Sequence, residues 1–591
     1  MKFPYGLSDF ATLMGENYFY QDRTDRIPLL EDTGRQLLFI RPRRFGKSLL
    51  LSMMENYYDI NRAGRFEALF GKLAIGKNPT PLHNQFFVMN WDFSQVKSQG
   101  NVKDIEAALN RHVNDCIKDF ASYYHAQLPK TIDICEQDAI SSWRSALTAI
   151  GQTHHKLYLL IDEYDNFANE VMMARQSHYE ALLYGEGLLK TLFKAVKAAA
   201  SGRGLDRVFI TGVSPVVLSD MTSGYNVAKT IYLDTEFNDL CGFAETEIAR
   251  ILQQMQRENS GWKVRETLDT MRTFYNGYRF CEKAGESIYN PTLSLYFLEY
   301  LQRHNEYPSQ ILDENLAMDR NKLVYISQLP HGESILLKAL SGEGAVVIGQ
   351  LARRFGVEDV INGIKDQAFM ASLLYYFGVL TWDGAAGYDE CRLKIPNLVA
   401  RSLYVERLQE LWLPEYEDKE SISEVSRHFC MTGDLQPLCN FIEQRYFSVL
   451  SNRDYRWINE LLIKIAFMTL LLNDRIYMMV SETEVDHGYV DLSLIVRPDK
   501  RRLQALDLLL EFKYLSLKEL GLSGNQLKNQ SLDTLAALPA VTAKLIEAEH
   551  QAKRYGAALT MRHGLAQLRC YAVVALGLER VVWREIAQTG E

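Results

Sequence analysis

The chain has 591 residues, of which 47% are hydrophobic and 24% are charged, and its formal net charge is −9. One hydrophobic core rarely serves more than about 250–300 residues, so this length predicts several domains, and the ordinary composition excludes a mainly disordered chain. The negative charge argues weakly against a nucleic-acid partner, because phosphate binding uses Lys and Arg, although a local basic groove would suffice.

The sequence gives no sign of a membrane span. Residues 1–20 lack the basic segment and the apolar block of a signal peptide. The longest apolar stretch, Leu461–Leu472, is short for a bilayer and contains Lys464, so we expect a buried helix there. The eight cysteines show no zinc-like spacing, which favours reduced thiols in a cytoplasmic protein.

A strand, a loop and a helix in succession predict a nucleotide site near the N-terminus. Gln36–Ile40 is an apolar run of strand type, and the helical stretch Leu49–Tyr58 follows the loop Arg41–Ser48. Backbone N–H groups at such a helix start bind phosphate oxygens, while Lys47 can neutralise the β- and γ-phosphates and Ser48 can ligate Mg²⁺. The residues predicted to bind ATP here are Arg44, Phe45, Gly46, Lys47 and Ser48.

The loop departs from the usual GxxxxGK[ST] pattern, because Arg41 stands at the position of the first glycine. Gly-Lys-Ser alone is a weak signal, and a basic loop before a surface helix is the alternative interpretation. The strand Lys156–Ile161, which is followed by Asp162 and Glu163, favours the nucleotide site over that alternative. Ligands bind beyond the carboxyl ends of parallel strands, so Asp162 is expected to hold Mg²⁺ through water and Glu163 to polarise the attacking water.

A third strand, Arg207–Ser214, ends in small polar residues. A polar side chain at this place senses the γ-phosphate in such ATPases, so Thr211 and Ser214 are candidates. Further along, residues 292–438 show mostly helical spacing and few motifs. Within them, Ser372–Thr381 fits a helix that runs into a strand, as in a small winged-helix module.

The C-terminal part reads as a helix, three antiparallel strands, a helix and a strand. The predicted elements are a helix at Trp457–Leu472, strands at Arg475–Glu484, Tyr489–Val496 and Leu506–Tyr514, a helix from Pro539 to Tyr555 that Gly556 would end, and a strand at Arg569–Ala575. Turns are expected at 485–488 and 497–505.

Three side chains of this part should converge. Residue numbers paired across a hairpin have a constant sum, so a turn centred on residue 501 places Asp491 opposite Glu511, and the period of two places Lys513 on the same face as Glu511. The two acids can hold Mg²⁺ for phosphodiester hydrolysis, Lys513 can orient the nucleophile or stabilise the pentavalent phosphorus, and Glu460 can add a carboxylate. An ordinary hairpin is the alternative, but an acid and a lysine are costly to bury without partners.

These stretches resemble the bacterial AAA-ATPase-like proteins that carry a C-terminal PD-(D/E)XK nuclease domain. An arginine in place of the first glycine is usual in that group. Other matching stretches are Val88–Ser94, Leu240–Glu247, Tyr275–Phe280, Tyr289–Pro291 and Lys394–Asn397. The resemblance implies an AAA+ core and a helical lid, with Arg279 either reaching the nucleotide or serving the structure. Gln551 and Tyr555, which share a helix face, match an accessory position of this nuclease class.

We therefore predict an α/β fold in four parts. They are an AAA+-like P-loop ATPase core with a parallel sheet at 1–215, a helical lid at 216–300, a helical or winged-helix-like middle at 301–438, and a PD-(D/E)XK-like α/β domain at 439–591. The predicted function is an ATPase that uses ATP and Mg²⁺ and controls a nuclease acting on DNA or RNA, by analogy in defence against foreign nucleic acid. The alternatives are a signalling or scaffold ATPase whose nuclease-like domain only binds a partner, and a chromosomal or mobile-element factor that remodels DNA without cutting it. A homo-oligomer is left open.

Overall fold

The computed structural model describes most of the chain. The described residues are 1–97, 100–166, 188–200, 202–215, 228–257, 261–311, 317–329, 332–341, 346–352, 366–387, 390–413, 416–451, 460–480, 484–485 and 488–587. The chain divides into two compact units. The first comprises Met1–Ser260, Asn276–Arg303 and Val347–Leu393, and the second comprises Gly261–Tyr275, His304–Val346 and Lys394–Glu591. The predicted four-part division stays a prediction.

The first unit is built on a five-stranded parallel sheet. Its strands are β1 (Gln36–Ile40), β2 (Phe86–Asp92), β3 (Lys156–Asp162), β4 (Leu205–Gly212) and β5 (Lys229–Thr230). Their order is β2-β3-β4-β1-β5, and every neighbouring pair is parallel. The strands β1 to β4 are almost wholly apolar and buried, as a parallel sheet covered on both faces requires. The predicted parallel core is confirmed.

Helices cover this sheet. The described α-helices of the first unit are Phe10–Gly15, Ile27–Thr33, Lys47–Tyr58, Phe66–Phe70, Val102–Tyr123, Ala139–Gly151, Leu188–Ala199, Glu245–Gln256, Pro291–His304, whose last residue belongs to the second unit, and Gln367–Tyr376. The helix Lys47–Tyr58, called the P-loop helix below, packs against β2 and β3. It buries Met53, Met54 and Tyr57 and presents its first turn at the carboxyl end of the sheet.

A small three-stranded sheet is formed by strands that come before and after the helix Gln367–Tyr376 in the chain. Its strands are β6 (Val346–Ile348), β7 (Thr381–Gly387) and β8 (Glu390–Lys394), in the order β6-β8-β7. The predicted helix running into a strand is confirmed, and Gly378 takes the left-handed turn between them, with φ +79°.

The second unit contains a mixed five-stranded sheet. Its strands are β9 (Tyr477–Val480), β12 (Leu492–Val496), β13 (Asp507–Leu515), β14 (Leu568–Leu576) and β15 (Arg580–Ile586), and a separate short hairpin is formed by β10 (Glu484–Val485) and β11 (Gly488–Tyr489). The sheet order is β15-β14-β13-β12-β9. The pairs β9–β12, β12–β13 and β14–β15 are antiparallel, and β13–β14 is parallel.

The remaining α-helices of the second unit form its helical part and the faces of this sheet. They are Val264–Tyr275, Ala317–Gln328, Gly332–Ser341, Leu398–Trp412, Tyr416–Thr432, Gln436–Phe441, Phe447–Ser451, Glu460–Leu471, Leu517–Leu520, Gly524–Lys528, Leu532–Ala536 and Pro539–His563. The helix Glu460–Leu471 is buried from Leu462 onward, as its apolar sequence predicts, and residues 457–459 of the predicted helix lie outside the described residues. Within the described part of the chain, no helix has the length and apolar character needed to cross a bilayer.

Two details of the C-terminal elements differ from the prediction. The last long helix does not end at Gly556 but continues to His563, where Gly564 ends it with φ +62°. Gly556 is buried inside the helix, and a Cβ there would lie 3.1 Å from Cys570 Sγ on β14, so its missing side chain lets the helix approach the sheet. The strand β15, which pairs with β14 across a tight turn, is an element that we did not predict.

Candidate nucleotide and metal sites

The loop between β1 and the P-loop helix has the backbone of an anion-binding site. Arg44 and Gly46 have φ values of +66° and +86°, both left-handed, and the helix begins at Lys47 directly after them. A Cβ on Gly46 would meet nothing within 4 Å, so its backbone conformation, and not lack of space, favours glycine there. Alternating backbone of this kind aims successive N–H groups into one concavity, where phosphate oxygens bind.

The Lys47 ammonium group lies within that loop. Its Nζ donates hydrogen bonds to the carbonyl oxygens of Arg41 and Pro42, each at 3.1 Å, and the residue is 5% exposed. Burial lowers the pKa of Lys47, and the carboxylates of Asp162 and Glu163 oppose that effect. A buried cation that donates to carbonyl oxygens and lies near carboxylates is suited to a polyanionic ligand.

Asp162 joins the three elements that carry the predicted site. Its Oδ2 accepts a hydrogen bond from Ser48 Oγ at 2.6 Å, and its Oδ1 accepts from Thr211 Oγ1 and, at 2.9 Å, from the backbone N–H of Glu163. Ser48 is the second residue of the P-loop helix, Asp162 ends β3, and Thr211 lies near the end of β4. The structure therefore brings Ser48, Asp162 and Thr211 together.

The two carboxylates that follow Asp162 have different surroundings. Glu163 has φ +47°, an unfavourable conformation for a residue with a side chain, and burial raises its pKa while Lys47 opposes the shift. Asp165 is fully buried and accepts hydrogen bonds from the N–H groups of Val213 and Ser214 and from Ser214 Oγ, at 2.7–3.0 Å. We did not predict these hydrogen bonds from the sequence, although Asp165, the third carboxylate in Asp-Glu-Tyr-Asp, could have indicated them. The Ser214 hydroxyl is thus bonded to Asp165.

Arg41 stands at the position of the first glycine of the usual motif, and its side chain packs inside the protein there. The side chain is 1% exposed and lies against the rings of Phe39 and Phe280, with its Cζ 4.5 and 4.0 Å from their centroids. Its guanidinium donates to the carbonyl oxygens of Ile40, Tyr232 and Phe237 at 2.7–2.9 Å. Burial lowers the pKa of Arg41 to about 10, so the group stays charged at neutral pH. Arg41 is therefore a structural residue of the loop.

Aromatic residues from later in the chain line the other side of the loop. The buried ring of Phe45 meets the rings of Tyr278 and Phe280 edge-on, with centroids 4.9 and 5.3 Å apart. Arg279, between them in the chain, donates its backbone N–H to Thr381 Oγ1 at 2.7 Å. Among the described residues its guanidinium forms no hydrogen bond or ion pair, and its contact with the nucleotide stays a prediction.

The second unit brings together the three side chains predicted to converge. The observed pairs of β12 with β13, such as Leu492 with Leu510, have the predicted constant sum, so continuing the ladder by one residue sets Asp491 opposite Glu511. The N–H of Asp491 donates to Glu511 Oε1 at 3.4 Å, and Asp491 Oδ2 accepts from the N–H of Phe512 at 2.8 Å. The predicted pairing of the two acids is confirmed.

Lys513 and Glu460 complete this group. Lys513 Nζ donates to Glu460 Oε1 at 3.2 Å and to the carbonyl oxygen of Phe512 at 2.8 Å. Burial alone would lower the pKa of Lys513, but the charges of Glu460 and Asp491 outweigh burial and raise it. Burial, followed by the charge of Asp491, raises the pKa of Glu511 well above its usual range. Two carboxyl groups that cannot easily be charged together are suited to a divalent cation.

The accessory pair on the helix Pro539–His563 lies near this sheet, because the helix packs on β13 and β14. Gln551 Oε1 is buried and has no hydrogen-bond partner among the described residues, and the Tyr555 hydroxyl accepts from Arg554 Nη2 at 2.6 Å. No group of three or more His, Cys, Asp or Glu side chains that could hold a metal ion is found in the described part of the chain. Mg²⁺ itself commonly needs only one or two carboxylates, with water and phosphate oxygens as its other ligands.

Comparison with protein families gives two separate matches. The model described as a predicted AAA-ATPase matches residues 4–222, and the model of the PD-(D/E)XK nuclease superfamily matches residues 458–585. An uncharacterized protein in the vnfD 5′ region of Azotobacter chroococcum mcd 1 is 25% identical over 307 residues, which cover 49% of this chain and 50% of that protein. The chain thus spans about half the length of this curated relative.

The solved structures to which the chain is similar include two described as ORC proteins. The Aeropyrum pernix ORC2 protein, in its ADPNP–ADP complexes, is 14% identical with a TM-score of 0.31, and the match covers 66% of this chain and 95% of that one. Drosophila ORC bound to DNA is 13% identical with a TM-score of 0.27, covering 64% and 84%. The two family matches and the observed sheets and helices confirm the predicted fold class: a parallel-sheet P-loop core, a helical middle and a C-terminal α/β domain.

Proposed function

Because the chain carries an AAA-ATPase-like domain over residues 4–222 and a PD-(D/E)XK nuclease superfamily domain over residues 458–585, we propose that it is an ATPase that controls a nuclease. The nuclease acts on DNA or RNA and depends on Mg²⁺. The observation that supports this most is that Asp491 is paired with the buried Glu511, and that the buried Lys513 lies two residues further along the same strand. Defence against foreign nucleic acid would suit such a pairing of activities.

In the nucleotide site, the backbone N–H groups of Arg44, Phe45 and Gly46 bind phosphate oxygens. Lys47 turns from the loop carbonyls to the β- and γ-phosphates. Ser48 and Asp162 hold Mg²⁺, which neutralises charge on the phosphates.

Hydrolysis then depends on the ends of β3 and β4. Glu163 polarises the attacking water, and its raised pKa makes it a better proton acceptor near neutral pH. Of the two sensor candidates we favour Thr211, because its hydroxyl reaches Asp162 while that of Ser214 is bonded to Asp165. Arg279 is the further arginine that could contact the nucleotide.

In the nuclease site, Asp491 and Glu511 hold Mg²⁺, which supplies charge neutralisation and an acidified water ligand. Lys513 orients the nucleophile or stabilises the charge that develops on phosphorus. Glu460 sets the position of Lys513 through their ion pair. Gln551 and Tyr555, on the helix that packs on β13 and β14, are the accessory residues of this site.

ATP binding is tested with Lys47→Ala, and the exposed Lys72→Ala is the matched control. We expect loss of Mg·ATP binding in the first variant and wild-type binding in the second, measured with a fluorescent ATP analogue. Unchanged binding by Lys47→Ala would contradict the nucleotide assignment.

Nuclease activity is tested on plasmid DNA and on RNA with Mg²⁺ or Mn²⁺, in the presence and absence of ATP. Asp491→Ala and Lys513→Ala should abolish cleavage, whereas the exposed Asp533→Asn should leave it unchanged. A protein that hydrolyses ATP and cuts neither nucleic acid would favour the scaffold function. Cleavage that persists in Asp491→Ala would show that another site or a contaminant cuts.

A further inference from the structure

The strand next to β3 also ends in a carboxylate. In the parallel pair of β2 and β3, Asp92 is the register partner of Asp162. Neighbouring strands lie about 4.8 Å apart, and register partners direct their side chains to the same face of a sheet. Asp92 therefore stands one strand away from the carboxylate that bonds Ser48.

The two residues before Asp92 show on which face of the sheet its side chain lies. Asn90 Nδ2 donates to Glu55 Oε2 on the P-loop helix at 2.7 Å, whereas the ring of Trp91 packs against Trp143, with centroids 5.1 Å apart. Side chains alternate along a strand, so Asp92 shares the face of Asn90, toward the P-loop helix.

A cavity of about 250 Å³ lies on this face, and Ser48, Asp92 and Asp162 all line it. The Asp92 carboxylate is held in place, because Oδ1 accepts from the N–H of Ser94 at 3.0 Å and Oδ2 accepts from Gln95 Nε2 at 3.1 Å. Each carboxylate oxygen can accept a second hydrogen bond. The group is thus fixed and still able to bind water in the cavity.

We propose that Asp92 is a positioning residue of the ATP site, which accepts hydrogen bonds from the water ligands of the Mg²⁺ held by Ser48 and Asp162. The inference rests on the proposed ATP function. Mg²⁺ dehydrates reluctantly and keeps several waters, so carboxylates beside the ion contribute through those waters. Groups that hold such ligands in place commonly change metal affinity by roughly 10–100-fold when they are removed.

The alternative role of Asp92 is to cap the short turn Phe93–Gln95. Asp92→Asn separates the two roles, because asparagine also accepts the Ser94 N–H but carries no charge. The variant should therefore keep the wild-type melting temperature in the absence of nucleotide and metal.

The experiment measures the Kd of a fluorescent ATP analogue in EDTA and over a Mg²⁺ titration, which is a readout independent of turnover. In Asp92→Asn we expect the Mg²⁺ concentration at half-maximal effect to rise roughly tenfold, with the Kd in EDTA unchanged. Glu55→Gln is the matched control. It lines the same cavity but lies seven residues from Ser48 along the helix, about 10 Å, and should leave the titration unchanged.

The outcomes separate this inference from the proposed function. If Mg²⁺ has no effect on nucleotide binding by the wild type, the proposed site fails, and the role of Asp92 fails with it. If the wild type responds and Asp92→Asn responds equally, only the inference is overturned. Equal losses in Asp92→Asn and Glu55→Gln would also overturn it, because total cavity charge would then explain the effect.

Discussion

Replacing Glu511 with glutamine should stabilise the metal-free protein. The Glu511 side chain is 1% exposed, and the hydrogen bond that reaches it from the Asp491 N–H is long, at 3.4 Å. Burial and the charge of Asp491 both disfavour its ionised form. Glutamine has nearly the same shape and no charge, so we expect unfolding of the second unit to require about 1–2 kcal/mol more, or ~2–4 °C in Tm for a unit of this size.

The effect should depend on pH. The pKa of Glu511 is higher in the folded protein than in the unfolded chain. The protonated carboxyl group therefore makes its whole contribution to stability below the unfolded-state pKa, and this contribution is lost as the pH rises through the folded-state pKa. The advantage of Glu511→Gln should therefore grow between pH 6 and pH 9 in EDTA. Glu547→Gln, at an exposed helical ion pair with Lys544, is the control and should change little at any pH.

Metal should reverse the order of stability. Mn²⁺ or Mg²⁺ binds the ionised carboxylate, so Tm should rise with metal in the wild type, more at high pH, and much less in Glu511→Gln. Thermal melts followed by tryptophan fluorescence in EDTA and in Mn²⁺ measure both effects. A glutamine variant that is less stable in EDTA at every pH, or that gains as much from metal as the wild type, would refute the reasoning.

Three further substitutions test the packing around the sites. Arg41→Gly restores the usual glycine but removes the donors that bond three carbonyl oxygens. We therefore expect the free energy of unfolding in urea to fall by about 3–5 kcal/mol, and a wild-type midpoint would contradict the structural role of Arg41. Gly378→Ala places a Cβ 2.6 Å from Pro42 at φ +79°, which should cost about 2–4 kcal/mol and weaken ATP binding. In Gly556→Val the new side chain would press against Cys570, and the free energy of unfolding should fall by about 1–3 kcal/mol. A variant that is more stable than the wild type in the same unfolding assay would show that the helix can move away from the sheet.

The parts of the fold that could be predicted are those fixed by local pattern. Lys47, Ser48 and Asp162 follow apolar strands at recognisable positions, and the pairing of Asp491 with Glu511 follows from a hairpin whose turn fixes the register. An antiparallel hairpin leaves few choices of register, so arithmetic on residue numbers was enough.

The parts that could not be predicted depend on contacts between distant segments. The register of Asp92 with Asp162 belongs to a parallel pair, which no short turn constrains. Gly556 has the usual sign of a helix end, yet its lack of a side chain serves contact with Cys570 on another element. Arg41 reads as a surface cation, and only the fold reveals the carbonyls that it satisfies.

The phosphate-binding loop is held by residues that come much later in the chain. Phe45 is covered by Tyr278 and Phe280, the carbonyl oxygen of Arg44 accepts from Thr292 Oγ1 at 2.8 Å, and Gly378 lies close against Pro42. A fragment ending at residue 222, where the family match ends, would leave Phe45 open to water and remove those supports. We therefore expect the smallest autonomous ATP-binding piece of this protein to be much longer than the stretch that its sequence motifs delimit.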